Sequence, residues 1–248
     1  MSEAADGVIF IHAFPLDGRM WEQQIDGLRG RWPAIAPSLP GFGGAEGVGD
    51  VMSMGAAADR CVRALDAAGM ERAVVCGLSM GGYVAFELWR MARQRIAGVV
   101  LANTRSGADT EQAADARRAL ATRLRAEGNG FLVAEPPPLL GPNASDDVRA
   151  FVRDAIADQP GGSIAAAAEG MAERPDSTPD LGTIDVPVLV ITSTDDTLIP
   201  ADVSEEMVPH IKGAQAVTIT GAGHLSNLEA PDAFADALER FLAGFHLA

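Results

Sequence analysis

The sequence predicts an α/β protein whose mostly parallel sheet has about six strands and is flanked by helices. Two observations predict it. Short apolar runs alternate with amphipathic segments over most of the 248 residues. Those runs are apolar at nearly every position, as in strands covered on both faces, where parallel pairing needs helical crossovers. A third feature modifies the picture: one long stretch lacks any strand pattern and reads as a helical insert.

Taken in order, the first strand is VIFIHAF, residues 8–14, followed by a helical segment over 19–30 with Trp21, Ile25 and Leu28 at helical spacing. PAIAP (33–37) is the second strand. Residues 54–68 form the next helix, with Ser53 as its N-cap. AVVCG (73–77) is the third strand and GGYVAFELWRMAR the helix after it; AGVVLAN (97–103) is the fourth strand. Residues 104–181 carry only helical patterns, at 109–127, 146–158 and 163–173, broken by EPPPLLGP. An insert of about 75 residues far exceeds an ordinary connection and suits a lid. VPVLVIT (186–192) and QAVTIT (215–220) complete the sheet, with right-handed crossovers throughout.

Bulk properties narrow the function. A net charge of −15 and 48% hydrophobic residues fit a globular protein and argue against nucleic acid or anionic membrane partners, which need clustered Lys and Arg. The two cysteines, Cys61 and Cys76, read as small core residues. The start, MSEAADGVIF, lacks a basic region and a cleavage site, and no apolar run approaches the length of a membrane span, so the expected location is the cytoplasm. No ligand-spaced Cys/His cluster or dinucleotide fingerprint calls for a metal or organic cofactor.

The chemistry centres on CGLSMGGY, residues 76–83. G-x-S-x-G alone is weak evidence, since a random chain of this composition contains it with probability roughly 0.13. Its setting is stronger: a strand precedes it and a helix follows. That turn strains the serine backbone, projects Ser79 Oγ above the sheet edge and aims helix N–H groups at the same spot. A serine hydroxyl needs a base. His224, in GAGHLSNLE just past the last strand, lies at the edge where such sheets place their sites, whereas His12, His210 and His246 do not carry this role. Ser226 and Glu229 are spaced as a capping box for the helix after His224. VPVLVITSTDDTLIP supplies two carboxylates after the fifth strand, Asp195 and Asp196, either of which could orient the imidazole or act as a turn or capping residue. An oxyanion needs two backbone N–H groups: that of Met80, after the serine, and one from HAFPLDG, for which Phe14 is the choice.

HAFPLDGRMW, LPGFGG, GLSMGGY, VPVLVITSTDDTLIP and GAGHLSNLEAP together, in this order along nearly the whole chain, resemble the α/β-hydrolase fold superfamily. Within it, GLSMGGY, VLANTRSGADT and HLSNLE are most similar to the 3-oxoadipate enol-lactonase-like group, which also holds many carboxylesterases. The resemblance implies Ser79 as nucleophile, His224 as base and Asp196 as acid, because the acid of the pattern sits four residues before a proline, here Pro200. It implies backbone oxyanion donors at Phe14 and Met80, a core of residues 1–103 and 182–248, and a cap over 104–181. The implied activity is hydrolysis of a small carboxylic ester or lactone through an acyl-enzyme, without cofactor, nucleic acid or membrane. A diacid enol-lactone would give Arg105 a carboxylate to meet. Thioesterases, acyltransferases and perhydrolases share the triad, and a ligand-binding protein could keep the scaffold without catalysis; a haloalkane dehalogenase would need a carboxylate where Ser79 stands.

Three departures from the family pattern carry expectations. The N-terminal β-hairpin is expected to be absent. HA replaces the usual HG, so Ala13 would be strained if its φ were positive. Ser38 stands where Asp is common, an exchange expected to be structural.

Overall fold

The computed structural model describes residues 3–47 and 49–247. Among the described residues eight strands appear in chain order: β1 (Glu3–Ala5), β2 (Gly7–Ile11), β3 (Ala34–Ile35), β4 (Ala73–Leu78), β5 (Ile96–Ala102), β6 (Val188–Ser193), β7 (Gln215–Ile219) and β8 (Phe245–Leu247). Six of them form one parallel sheet in the order β3-β2-β4-β5-β6-β7. The expected sheet is therefore present, with shorter outer strands. The second predicted strand is only two residues long, at the sheet edge, and four of the five residues of β7 are exposed.

The predicted first strand ends at Ile11 rather than Phe14. After Ile11 the backbone turns, with Leu16 N–H donating to Ala13 O at 2.9 Å, so His12–Phe14 leave the ladder for a loop. The central strands β4, β5 and β6 are buried at every position, as their near-continuous apolar sequences require. An unexpected pair, β1 and β8, joins the chain ends in a separate parallel ladder. Among the described residues every ladder is parallel, so β1 forms no hairpin.

Helices α1 (Glu22–Leu28), α2 (Met54–Ala67) and α3 (Met80–Ala92) follow the predicted positions. A 3₁₀ turn at Gly18–Trp21 replaces the first turn predicted for α1, because Asp17 caps it by accepting from Arg19 N–H at 2.9 Å. Ser53 caps α2 as expected, accepting from Ala56 N–H at 3.1 Å. Between β5 and β6 lie α4 (Glu111–Glu127), α5 (Gly130–Ala134), α6 (Asp146–Ala157) and α7 (Gly161–Ala172). Thr110 and Ser145 cap α4 and α6; five-residue α5 is too short to leave a periodic signature. α8 (Ala201–Glu205), α9 (Ser226–Glu229) and α10 (Pro231–Leu242) complete the set.

α2 packs on α3 and both contact β2, while α1 packs on α10, which also contacts β7. Phe10 stacks on Trp21 with centroids 4.8 Å apart, and Trp21 meets Phe234 of α10 at 5.6 Å. All three are fully buried, each contributing about 2–3 kcal/mol of transfer free energy. Cys61 and Cys76 are free and buried, and burial pushes the Cys61 thiol up to about 12. Among the described residues no helix is long and apolar enough to cross a membrane.

Candidate active site

Ser79 sits between β4 and α3 at φ 56°, ψ −113°. A non-glycine residue there costs about 1–3 kcal/mol and persists only where its surroundings over-determine it. They do. Ser79 N–H donates to Ala102 O at 2.9 Å, and Ser79 O accepts from Gly82 N–H at 2.9 Å and the Thr104 hydroxyl at 2.8 Å. The flanking glycines let the backbones close in: a Cβ on Gly77 would meet the Gly81 carbonyl, and one on Gly81 the Ile11 carbonyl. Ser79 Oγ makes no hydrogen bond among the described residues; it lines a cavity of about 280 Å³ together with Phe14, Arg105 and His224.

His224 follows β7 and is nearly fully buried. Its Nδ1 lies 2.8 Å from Asp196 Oδ2, so Nδ1–H donates to the carboxylate and Nε2 is left free to accept a proton. This selects between the two candidate carboxylates. Asp195 is half-buried and accepts from the neighbouring Thr194 hydroxyl instead. Asp196 Oδ1 also accepts from Leu198 and Ile199 N–H at 2.9 and 3.0 Å, so the turn role and the contact to His224 fall on one residue. Burial, the largest influence, raises its pKa, but the His224 hydrogen bond and charge, the Ile199 amide and Asn103 together outweigh it. Asp196 is held below the usual carboxylate range.

Asn103, which the sequence did not single out, organises this pair. It follows β5 at φ 44° and is fully buried. Its Nδ2 donates to Asp196 Oδ2 at 2.9 Å and Ser193 Oγ at 2.7 Å; its Oδ1 accepts from Ser226 Oγ at 2.6 Å. Ser193 Oγ donates onward to Gly223 O, next to His224, at 2.5 Å. The available sequence signal was an Asn directly after an apolar strand, since Asn tolerates the left-handed region. The predicted capping box does not form: Ser226 is engaged by Asn103, and the N-cap position of α9 is Leu225, without a side-chain cap. Glu229 reaches instead to Gly141 N–H at 2.8 Å, tying the Pro-rich loop to the His224 loop. Its other oxygen is buried without a partner among the described residues, and burial raises its pKa.

The two amides expected to hold an oxyanion, Phe14 and Met80, donate to no described protein acceptor. Met80 is the first residue of α3, where helix N–H groups are free by construction. His12 holds the other loop. Leu39 N–H donates to its Nε2 at 3.0 Å, which leaves Nδ1–H to donate to Ala13 O at 3.0 Å. Complete burial lowers its pKa to about 4, against weaker raising effects of Ala13 O and Asp17. His12 is thus a neutral scaffold residue. Ala13 is not at positive φ, so alanine for glycine brings no backbone strain there. Ser38 Oγ accepts from Gly18 N–H at 3.4 Å, a structural contact. His210 and His246 do not line the cavity.

Arg105 lines the cavity, but it is not a loose loop side chain: its Nη2 lies 2.5 Å from Asp109 Oδ1. A larger, more open groove of about 420 Å³ past Ile25, Trp32 and Leu247 contains none of the candidate residues. Among the described residues no group of three His, Cys, Asp or Glu side chains is placed to hold a metal ion.

The family model described as "Alpha/beta hydrolase family" matches residues 8–237. The solved structure of a thermophilic esterase from Thermogutta terrifontis is similar to this chain at 37% identity and a TM-score of 0.93, over 98% of this chain and 91% of that one. The enol-lactonase from Burkholderia xenovorans is similar at 26% identity and a TM-score of 0.84, over 96% and 90%. 3-Oxoadipate enol-lactonase 1 of Acinetobacter baylyi is 27% identical over 244 residues, 97% of this chain and 90% of that protein. With the family model spanning nearly the whole sheet and its crossovers, the chain belongs to the alpha/beta hydrolase family.

Proposed function

We propose that the protein is a serine hydrolase that cleaves carboxylic ester or lactone bonds of small substrates through an acyl-enzyme. One observation carries the reading: a strained serine, unpartnered at Oγ, shares a cavity with an imidazole whose far nitrogen is bound to a buried carboxylate. Ser79 Oγ attacks the carbonyl carbon as His224 Nε2 takes its proton. Asp196 orients the ring and stabilises the imidazolium. The amides of Phe14 and Met80 receive the oxyanion, each such donor being worth about 3–4 kcal/mol in related chemistry. The tetrahedral adduct collapses as His224 returns the proton to the leaving oxygen. Water, activated by the same imidazole, then releases the acid. In a lactone the leaving oxygen stays tethered, so a single ring-opened product leaves. Residues 104–181 act as a cap on a core of 1–103 and 182–248; α4 and the loop before α6 contribute Arg117, Leu120, Pro137 and Leu139 to the cavity wall.

The relatives named as esterases and enol-lactonases support this class of reaction. Intact-mass analysis after fluorophosphonate treatment tests it, with p-nitrophenyl acetate and butyrate turnover run in parallel. The expected result is one adduct on the wild type, none on Ser79→Ala, and matching loss of turnover. Well-folded wild type that takes no adduct and turns over no ester would refute the reading.

A further inference from the structure

The loop after β2 must present one amide, that of Phe14, to the reacting oxygen, and the residue before Phe14 is held by an unusual bond. Ala13 is fully buried, so its N–H needs an acceptor. The one it has among the described residues is the thioether of Met20, with Sδ at 3.2 Å. A thioether is a weak acceptor, and methionine ordinarily serves a core as an apolar filler. Met20 is as fully buried as Ala13, so solvent reaches neither group.

Peptide geometry carries this bond to Phe14. The Ala13–Phe14 peptide is trans and planar, so Ala13 O and Phe14 N–H point in opposite directions. Ala13 O is fixed by two donors, Leu16 N–H at 2.9 Å and His12 Nδ1–H at 3.0 Å. The preceding peptide is fixed by its own N–H on Met20 Sδ. Ala13 is thereby held on both sides, and Phe14 N–H is aimed away from the protein acceptors around it. Without the sulfur, the His12–Ala13 peptide would turn towards another acceptor and carry Ala13 and Phe14 with it.

Met20 is also tied to the base. It lies in the 3₁₀ turn Gly18–Trp21. Asn227, three residues after His224 and fully buried, donates from Nδ2 to Met20 O at 2.8 Å. Gln24 Nε2 donates in turn to Asn227 O at 3.0 Å. One methionine thus holds the oxyanion loop through its side chain and the His224 segment through its backbone.

We infer that Met20 is a positioning residue for the oxyanion hole, its sulfur setting the direction of the Phe14 amide and its carbonyl keeping that amide in register with His224. This rests on the acyl-enzyme reading for Ser79.

Met20→Leu tests it, because the exchange keeps the volume and removes the acceptor. With p-nitrophenyl butyrate it is expected to lower kcat about 10- to 100-fold, part of the loss that follows removal of a whole oxyanion donor, with KM within about threefold. Met207→Leu, at a buried methionine outside the cavity lining, should stay within about twofold. An isotope-labelled trifluoromethyl ketone gives a second readout. Ser79 Oγ adds to its carbonyl carbon, the serine proton passes to His224, and the carbonyl oxygen becomes a hemiketal oxyanion facing the same amides. The pH at which that oxygen titrates, read from the carbon NMR shift, should rise by about one unit in Met20→Leu, a change that loss of folded protein does not produce.

Norleucine in place of all nine methionines isolates the sulfur. It should lower kcat of the wild type about tenfold yet leave Met20→Leu nearly unchanged, since the remaining replacements are common to both. Unaltered kcat and hemiketal titration in Met20→Leu, or an equal norleucine effect in both backgrounds, would overturn the inference while the hydrolase reading stands. A folded wild type with neither turnover nor a ketone adduct would sink the hydrolase reading and this inference with it.

Discussion

Removing the Asn103 side chain is the sharpest test of how the Asp196–His224 pair is held. In Asn103→Ala, Asp196 loses one of its four hydrogen-bond donors, a bond to a charged group worth about 1.5–3 kcal/mol. Ser226 keeps a buried hydroxyl with no acceptor, costing about 1–3 kcal/mol, while Ser193 loses only a donor and still gives its own proton to Gly223 O. Alanine at φ 44° adds about 1–2 kcal/mol that asparagine tolerates better. Because the bonds form one network, the lower ends of these ranges are the safer guide, giving a loss of about 3.5 kcal/mol. For a domain of this size that lowers Tm by roughly 7–14 °C. Asn103→Gly removes the same bonds but relieves the backbone, so it should be about 1 kcal/mol more stable than the alanine variant. Urea denaturation with unchanged m-values reads both differences. A loss below about 1 kcal/mol in Asn103→Ala, or a glycine variant less stable than the alanine one, would refute the account. Both variants should also lose ester turnover, since His224 is oriented through Asp196.

Other predictions separate neighbouring roles. Asp196→Asn should lower kcat about 10³- to 10⁴-fold, because an amide cannot accept from His224 Nδ1–H, Asn103 and two backbone amides at once, whereas Asp195→Asn should stay within a few-fold; equal losses measured with p-nitrophenyl butyrate would contradict the assignment. His12 makes stability depend on pH. Its folded pKa is about 4, below the ordinary value of 6.5, so between these values the unfolded chain binds the extra proton. The contribution is complete above about pH 6.5 and is lost as pH falls towards 4, up to about 3 kcal/mol. The difference between wild type and His12→Gln in urea unfolding at pH 7 and pH 4.5 should show this slope, and parallel pH curves would rule it out.

Local pattern alone determined much of this protein. Apolar runs specify which segments become buried parallel strands, because a strand covered on both faces must be apolar at successive positions. CGLSMGGY between a strand and a helix determines the Ser79 turn, since the strained backbone and the close approaches at Gly77 and Gly81 are local requirements. Order along the chain brought His224 and the Asp195–Asp196 pair to the same sheet edge. Tertiary structure decided what depends on contacts between residues far apart in sequence. Asp195 and Asp196 are chemically equal, and only the path of the β7–α9 loop makes Asp196 the partner of His224. Ser226 and Glu229 have capping-box spacing, yet Asn103, 123 residues from Ser226, takes the hydroxyl. The β1–β8 ladder joins chain ends too short to show a strand period. Arg105 read as a possible substrate contact by itself; that it shares one buried carboxylate with Arg117 and Arg174 follows only from packing α4 against α7. A hydrogen bond or ion pair is specified by three-dimensional distance, and no periodicity along the chain encodes it.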